Sequence, residues 1–187
     1  MNIFSRHIAT GLLAGLLLWP APAAGGGHWE ESQIKVAFLH HFAQFTDWPP
    51  GAIPPGKTTF VLGILGRDPF GADLSLLAGR RIKGRPVEVR RIDKIEEIFD
   101  CQLLFIAPCK RHSLEKTLSL LKGRPVLTVG DSEGFAGRGG MIALVPEGGR
   151  IRFEINLGAV RKNGLALSAQ LLDLATIVVG KKQGETP

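Results

Sequence analysis

The chain has no tyrosine, only two cysteines and two methionines among its 187 residues, and no long apolar run beyond its first twenty residues. Two cysteines exclude a small scaffold stapled by several disulfides and a four-cysteine zinc site. The best late apolar stretch, Leu171 to Val179, is nine residues long and contains Asp173 and Thr176. A membrane-spanning helix needs roughly 20 apolar residues, so the body of the chain holds none. The 24 glycines and 12 prolines show no Gly-x-y period, which excludes collagen. An apolar content of 44% with 21% charged residues excludes a disordered chain. What remains is one globular domain of ordinary size.

The first residues read differently from the rest. Arg6 and His7 precede the apolar stretch Ile8 to Trp19, followed by Pro20 and the small residues Ala21 and Ala23 in the spacing a signal peptidase accepts. About 12 apolar residues are too few to anchor a chain in a bilayer. The expectation is a signal peptide over residues 1–23, cleaved near Ala23, and a mature domain over residues 24–187 that is exported and lies outside the inner membrane. Removing the signal leaves 22 basic and 17 acidic residues, a net charge of +5. The basic residues fall in scattered pairs, such as Arg80-Arg81 and Arg161-Lys162, with no interleaved aromatics, and export argues against a nucleic-acid partner.

Hydrophobic spacing predicts a first helix over Glu30 to Asp47, ended by Pro49-Pro50. Short continuous apolar runs predict buried strands at Thr59 to Leu65, Cys101 to Ala107 and Pro125 to Val129, and alternation predicts a half-wet strand at Val87 to Ile92. Short helical segments are expected at Asp73 to Ala78 and Ile95 to Phe99, and a helix capped by Ser113 over Ser113 to Lys122. Pro146-Glu147-Gly148-Gly149 between two apolar runs signals a hairpin, and the all-round apolar pattern of Ser168 to Val179 predicts a buried terminal helix. The fold class is therefore α/β: a single three-layer domain with a mainly parallel sheet, an antiparallel C-terminal hairpin at its edge, and flanking helices.

No catalytic set, metal site or cofactor motif is recognisable. Gly51 to Thr58 matches the phosphate-loop pattern G-x-x-x-x-G-K-[ST] letter for letter. That loop must leave a strand and open a helix, whereas here it leaves a helix and opens a strand, and Pro54 and Pro55 lack N–H donors. Ser113-Leu114-Glu115-Lys116 matches S-x-x-K without the other elements of a penicillin-recognising site, and no Gly-x-Ser-x-Gly elbow exists. His40 and His41 are helix neighbours whose side chains diverge by about 100°, which precludes a shared metal, and His41 lies nearer the apolar stripe. If the chain between Cys101 and Cys109 is extended, their Cα atoms lie roughly 26 Å apart, too far for a disulfide.

The glycine cluster Gly130, Gly134, Gly137, Gly139 and Gly140 is the most unusual local composition. Tight turns explain it more economically than a ligand loop does. In open α/β sheets ligands sit beyond the carboxyl ends of the strands. Arg67, Asp68 and Phe70 follow the first buried strand, and Gly130 and Asp131 close the third. These five are the candidate ligand-binding residues, with Arg67 as the anion contact.

Several stretches, in order along the chain, resemble the YfiR family of exported regulators. Lys35-Val36-Ala37-Phe38-Leu39 with Phe42, Phe45, Trp48 and Pro49 is similar to the family's opening signature. Asp68-Pro69-Phe70, Cys101-x-Leu103-Leu104-Phe105-Ile106, Val126 to Asp131, Gly134-Phe135-Ala136, Phe153 to Leu157 and Gly164 to Ala175 follow suit. The resemblance implies a periplasmic α/β protein, often homodimeric. Such a protein restrains an inner-membrane diguanylate cyclase through the cyclase's periplasmic sensor part, lowering cyclic di-GMP and biofilm formation. It brings no catalytic residues and no cofactor. Members with additional cysteines form intrachain bridges that this sequence does not offer. Phe42 and Phe45 on the first helix and Trp48 just beyond it, with the terminal helix, are the candidate partner surface. A periplasmic module for a small anion or nucleotide-like ligand is the alternative reading, and a hydrolase the third.

Overall fold

The computed structural model describes residues 30–109 and 112–177. The expected signal peptide and the valines Val178 and Val179 of the expected terminal helix lie outside the described residues. The first helix, α1 (Glu31–Gln44), leads into a two-residue strand β1 (Thr46–Asp47) and, across a proline-rich loop, into β2 (Phe60–Leu65). A 3-10 segment over Gly71–Leu77 precedes the hairpin of β3 (Arg81–Ile82) and β4 (Arg85–Ile92). A second one over Ile95–Asp100 precedes β5 (Leu103–Ile106). Then come α2 (Leu114–Leu120), β6 (Leu127–Gly130), β7 (Ile142–Glu147), β8 (Arg150–Ile155), α3 (Leu157–Lys162), β9 (Ala166–Leu167), α4 (Ala169–Leu172) and β10 (Thr176–Ile177).

Eight strands form one sheet in the order β10-β8-β7-β6-β5-β2-β4-β3. The pairs β4·β2, β2·β5, β5·β6 and β6·β7 are parallel, and β7·β8 is antiparallel. This is the α/β fold with a mainly parallel sheet that the strand–helix alternation predicts. The sheet is buried on both faces because β2 carries two sets of apolar side chains. Phe60, Leu62 and Ile64 join a core with α1, the first 3-10 segment, α3 and α4, while Val61 and Leu65 join a second core with Ile98, Leu114 and Phe135. Three layers result.

Four elements differ from their sequence-based expectations. Helix α1 ends at Gln44 instead of Asp47, because Thr46 and Asp47 pair antiparallel with Leu167 and Ala166 and the buried Thr46 hydroxyl donates to the Phe42 carbonyl at 2.6 Å. The expected terminal helix is a single turn, α4, capped by Ser168. Thr176 and Ile177 then pair parallel with Glu154 and Ile155 of β8. A continuous apolar run fits helix or strand alike, and the β-branched pair takes the free edge of β8. Leu174, expected in the interior, is 75% exposed. The C-terminal hairpin therefore lies one strand in from the edge. At the opposite edge the β3–β4 hairpin, not anticipated as such, turns through Lys83 and Gly84, both at positive φ (47° and 77°).

Candidate functional site

Strand β2 lies mid-sheet, with β4 on one side and β5, β6 and β7 on the other. In such sheets the crevice for a ligand opens where the strand order reverses, here beyond the carboxyl ends of β2 and β5. Here that crevice is closed by close packing. A Cβ on Gly66, which sits at φ +94°, would lie 2.8 Å from the Ala107 carbonyl oxygen and 3.2 Å from the Cys109 Cβ. The loops leaving β2 and β5 are pressed together there.

The expected ligand residues share the carboxyl rim but do not form one pocket. Arg67 is exposed. Asp68 is committed locally: Oδ1 accepts from the Phe70 and Gly71 N–H groups at 2.8 and 3.2 Å, and Oδ2 meets the Arg91 guanidinium at 2.6 Å. Burial opposes its ionisation, yet the Phe70 N–H, the Arg91 guanidinium and the Gly71 N–H outweigh it and hold its carboxyl below the usual value. Phe70 is a core residue, edge-on to Phe105 with ring centroids 4.7 Å apart. Asp131 accepts from the buried Lys35 ammonium at 2.8 Å, and Lys35 also meets Glu31 at 2.7 Å. Strands β2 and β6 are two positions apart in the sheet, a spacing that corresponds to about 10 Å.

The glycines around Asp131 have a packing cause. The ring of the fully buried Phe135 lies between Gly130 and Gly140, and a Cβ on either would overlap it. The loop is then tied down by Asn156. Its Nδ2 donates to the Ala136 carbonyl at 2.8 Å, while its Oδ1 accepts from the Ala159 N–H at 3.0 Å and caps α3. Asn156 stands in a stretch that carries the family resemblance, but its bond to Ala136 has no signal in the sequence.

A cavity of about 240 Å³ does open on this rim, displaced toward β5 and β6. Ile106, Pro108, Cys109, His112, Ser113, Glu115, Ser132 and Arg138 line it. Ser113 accepts from the Lys116 N–H at 3.2 Å and caps α2 as expected. Arg138, embedded in the glycine cluster, donates to Glu115 Oε1 through Nη2 at 2.6 Å and Nε at 3.0 Å, which holds the Glu115 carboxyl below its usual range. Sequence reading placed Ser113 and Glu115 in a helix start and passed over Arg138, because nothing in the spacing shows that residues 115 and 138 meet. The cavity holds hydrogen-bonding groups of both signs and no nucleophile–base–orienter arrangement among the contacts described.

The cysteines occupy different environments. Cys101 is in the core against Gly63, its Sγ donating weakly to the Glu97 carbonyl at 3.6 Å, and burial pushes its thiol up to about 12. Cys109 is half-buried at the cavity. The loop Gly51 to Thr58 opens β2 and no helix, and Lys57 donates to the Asp100 carbonyl. Among the described residues no cluster of three metal-ligating side chains occurs.

The expected partner residues divide. Phe42 is fully buried, stacked on Phe38 and edge-on to Phe153, so it belongs to the core and presents no surface. Phe45 is half-buried beside His41. Trp48 is also half-buried, with Nε1 donating to the Pro125 carbonyl at 2.9 Å and its ring edge-on to Phe60. His40, rather than His41, is the packed histidine: its Nε2 is buried with no hydrogen-bond partner among the described residues, while His41 is exposed.

A family model described as YfiR/HmsC-like matches residues 32–176. The chain belongs to the YfiR/HmsC-like family. This family is a periplasmic, regulatory one associated with cyclic di-GMP signalling. Among the described residues of this YfiR/HmsC-like chain, no helix is long and apolar enough to cross a membrane. Two solved structures are similar in outline: an ABC domain in complex with L-Trp from Streptococcus pneumoniae, and a conserved domain protein from Vibrio cholerae O1 biovar El Tor. Each is 12% identical over 79% of this chain, with TM-scores of 0.49 and 0.46. The chain spans 60% of the length of each. Likeness at that level says nothing about what the YfiR/HmsC-like chain binds.

Proposed function

We propose that this protein is a non-enzymatic periplasmic regulator that represses an inner-membrane diguanylate cyclase by binding the cyclase's periplasmic sensor part, as a homodimer. The match to the YfiR/HmsC-like family over residues 32–176 carries the reading. The rim supports it, since its carboxylates Asp68, Asp131 and Glu115 are each paired with a cation of the protein's own. Repression then resides in the surface, which excludes Phe42 and leaves Phe45, Trp48 and the exposed Leu174 and Ile177 as apolar contacts.

The test is deletion of the gene with cyclic di-GMP measured in several growth conditions, alongside capture of the tagged protein from solubilised membranes. Raised cyclic di-GMP and co-purification of a cyclase support repression. Unchanged levels in every condition sink it. The cavity lined by Ser113, Ser132 and Arg138 favours a second reading, a binding module for a small anion or nucleotide-like ligand. A thermal-shift panel tests that one, and Arg138→Ala removes any shift if the cavity is the site.

A further inference from the structure

The β3–β4 hairpin concentrates positive charge beyond what its place at a sheet edge requires. Arg80, Arg81, Lys83 and Arg85 fall within six residues, and Arg80, Arg81 and Lys83 are exposed. Lys83 is balanced by Asp47 at 3.0 Å. Among the described residues no carboxylate pairs with Arg80, Arg81 or Arg85; the latter two donate to backbone carbonyls, of Gly84 and Lys57 respectively. Edge strands are commonly guarded by a charge or two against stray pairing. That role does not account for this cluster, since the other edge of the same sheet, Thr176–Ile177, carries no charge at all.

The geometry points to an anionic phospholipid surface as the occupant of this hairpin: we propose that the β3–β4 turn docks the protein on the membrane it faces. Arg81 spends its Nε and Nη2 on Gly84, and Arg85 its Nε on Lys57, so the Nε side of both guanidinium groups is taken up for paired bonds, while Arg80 adds an exposed charge that no carboxylate among the described residues meets. Such groups suit a diffuse field of headgroup charge better than a discrete acidic side chain. Leu76, 41% exposed and four residues before Arg80, adds an apolar contact at the same corner. The inference rests on the periplasmic reading only for which membrane is met.

The test is co-sedimentation of the exported protein with vesicles of equal parts phosphatidylglycerol and phosphatidylcholine, against phosphatidylcholine alone. Each basic residue next to an anionic leaflet strengthens binding roughly fivefold. Arg80→Glu/Arg81→Glu is therefore expected to weaken binding by at least about 25-fold, and added salt to weaken it further. Arg80→Glu alone, which disturbs no hydrogen bond of the hairpin, keeps the wild-type melting temperature and weakens binding by at least about fivefold. Arg161→Glu/Lys162→Glu, a charge reversal on α3, binds closer to wild type than the hairpin double variant. Equal sedimentation with both vesicle types, or undiminished binding by both hairpin variants, overturns the proposal. So does binding to polyglutamate without binding to vesicles, which makes the hairpin a protein-docking site. Vesicle binding is read without the cyclase, so its failure is separable from a failure of repression.

Discussion

The Lys35 ammonium lies 2.8 Å from the Asp131 carboxylate and fastens the first helix to the exit of β6. Both side chains are largely buried, at 10% and 17% exposure, with Glu31 as a wetter second acceptor. Removing one member of such a pair leaves a charge with poor hydration, whereas replacing both by apolar groups is tolerated. Asp131→Ala is expected to cost about 2–3 kcal/mol, discounted from a fully buried pair because Glu31 remains. Lys35→Met/Asp131→Leu is expected to recover most of that in urea unfolding. Burial disfavours the ammonium, but the bonds to Asp131 and Glu31 outweigh it and raise the Lys35 pKa. The Lys35 contribution is therefore present from neutral pH up to about pH 10.5 and lost as pH rises through the folded-state value.

Phe135 between Gly130 and Gly140 makes a second quantity measurable. A methyl group at either glycine collides with the ring, and overpacking of this kind costs about 1–3 kcal/mol. Gly140→Ala is expected to lower the melting temperature, and Phe135→Leu in the same chain to restore part of it. A double variant no better than the sum of its parts would show that the two positions do not interact.

These residues mark where sequence reading ends. The glycines of residues 130–140 read as turn-formers, yet only Gly134 and Gly139 are at positive φ, and Gly130 and Gly140 are there to receive an aromatic ring. Strands β2, β5 and β6 were legible because burial on both faces gives continuous apolar runs, and α2 because Ser113 caps it. The same continuity put Thr176 and Ile177 in a helix over Ser168 to Val179, since the deciding partner, β8, is about twenty residues away in the chain. Strand order puts Arg67, Asp68, Gly130 and Asp131 at the carboxyl ends of β2 and β6. Their separation by β5, and the pairing of each aspartate with its own cation, are tertiary facts that spacing does not encode.

Cys101 gives a chemical test of the core assignment. With its thiol raised to about 12 by burial, the nucleophilic thiolate is scarce at neutral pH and the sulfur is covered. An aromatic disulfide reagent is expected to leave Cys101 unmodified in the native state and to reach it only at the global unfolding rate, followed by mass spectrometry. Rapid native modification of Cys101 would mean that β5 opens locally.

His40 sets an acid limit on stability. Burial lowers its pKa first; the Arg81 carbonyl opposes that, and the positive charge of His41 and Arg80 lowers it further. The surrounding groups from α1 and β3 are the His41 ring, 6.0 Å away between centroids, the Arg81 carbonyl and Gln44, which donates to that same carbonyl at 2.8 Å. None is a carboxylate. The neutral imidazole is the form the fold accepts, so the unfolded chain binds a proton at higher pH than the native one. Stability is then full above the unfolded value of about 6.5 and falls as pH drops through the lowered native value. Urea unfolding at pH 7.5 and pH 5.5 should show wild type losing more stability than His40→Gln over that interval. Parallel losses in the two proteins would assign the acid sensitivity elsewhere. Because His40 packs on β3, the first backbone amides to lose hydrogen-exchange protection on acidification are expected to be those of Ile82 and its neighbours.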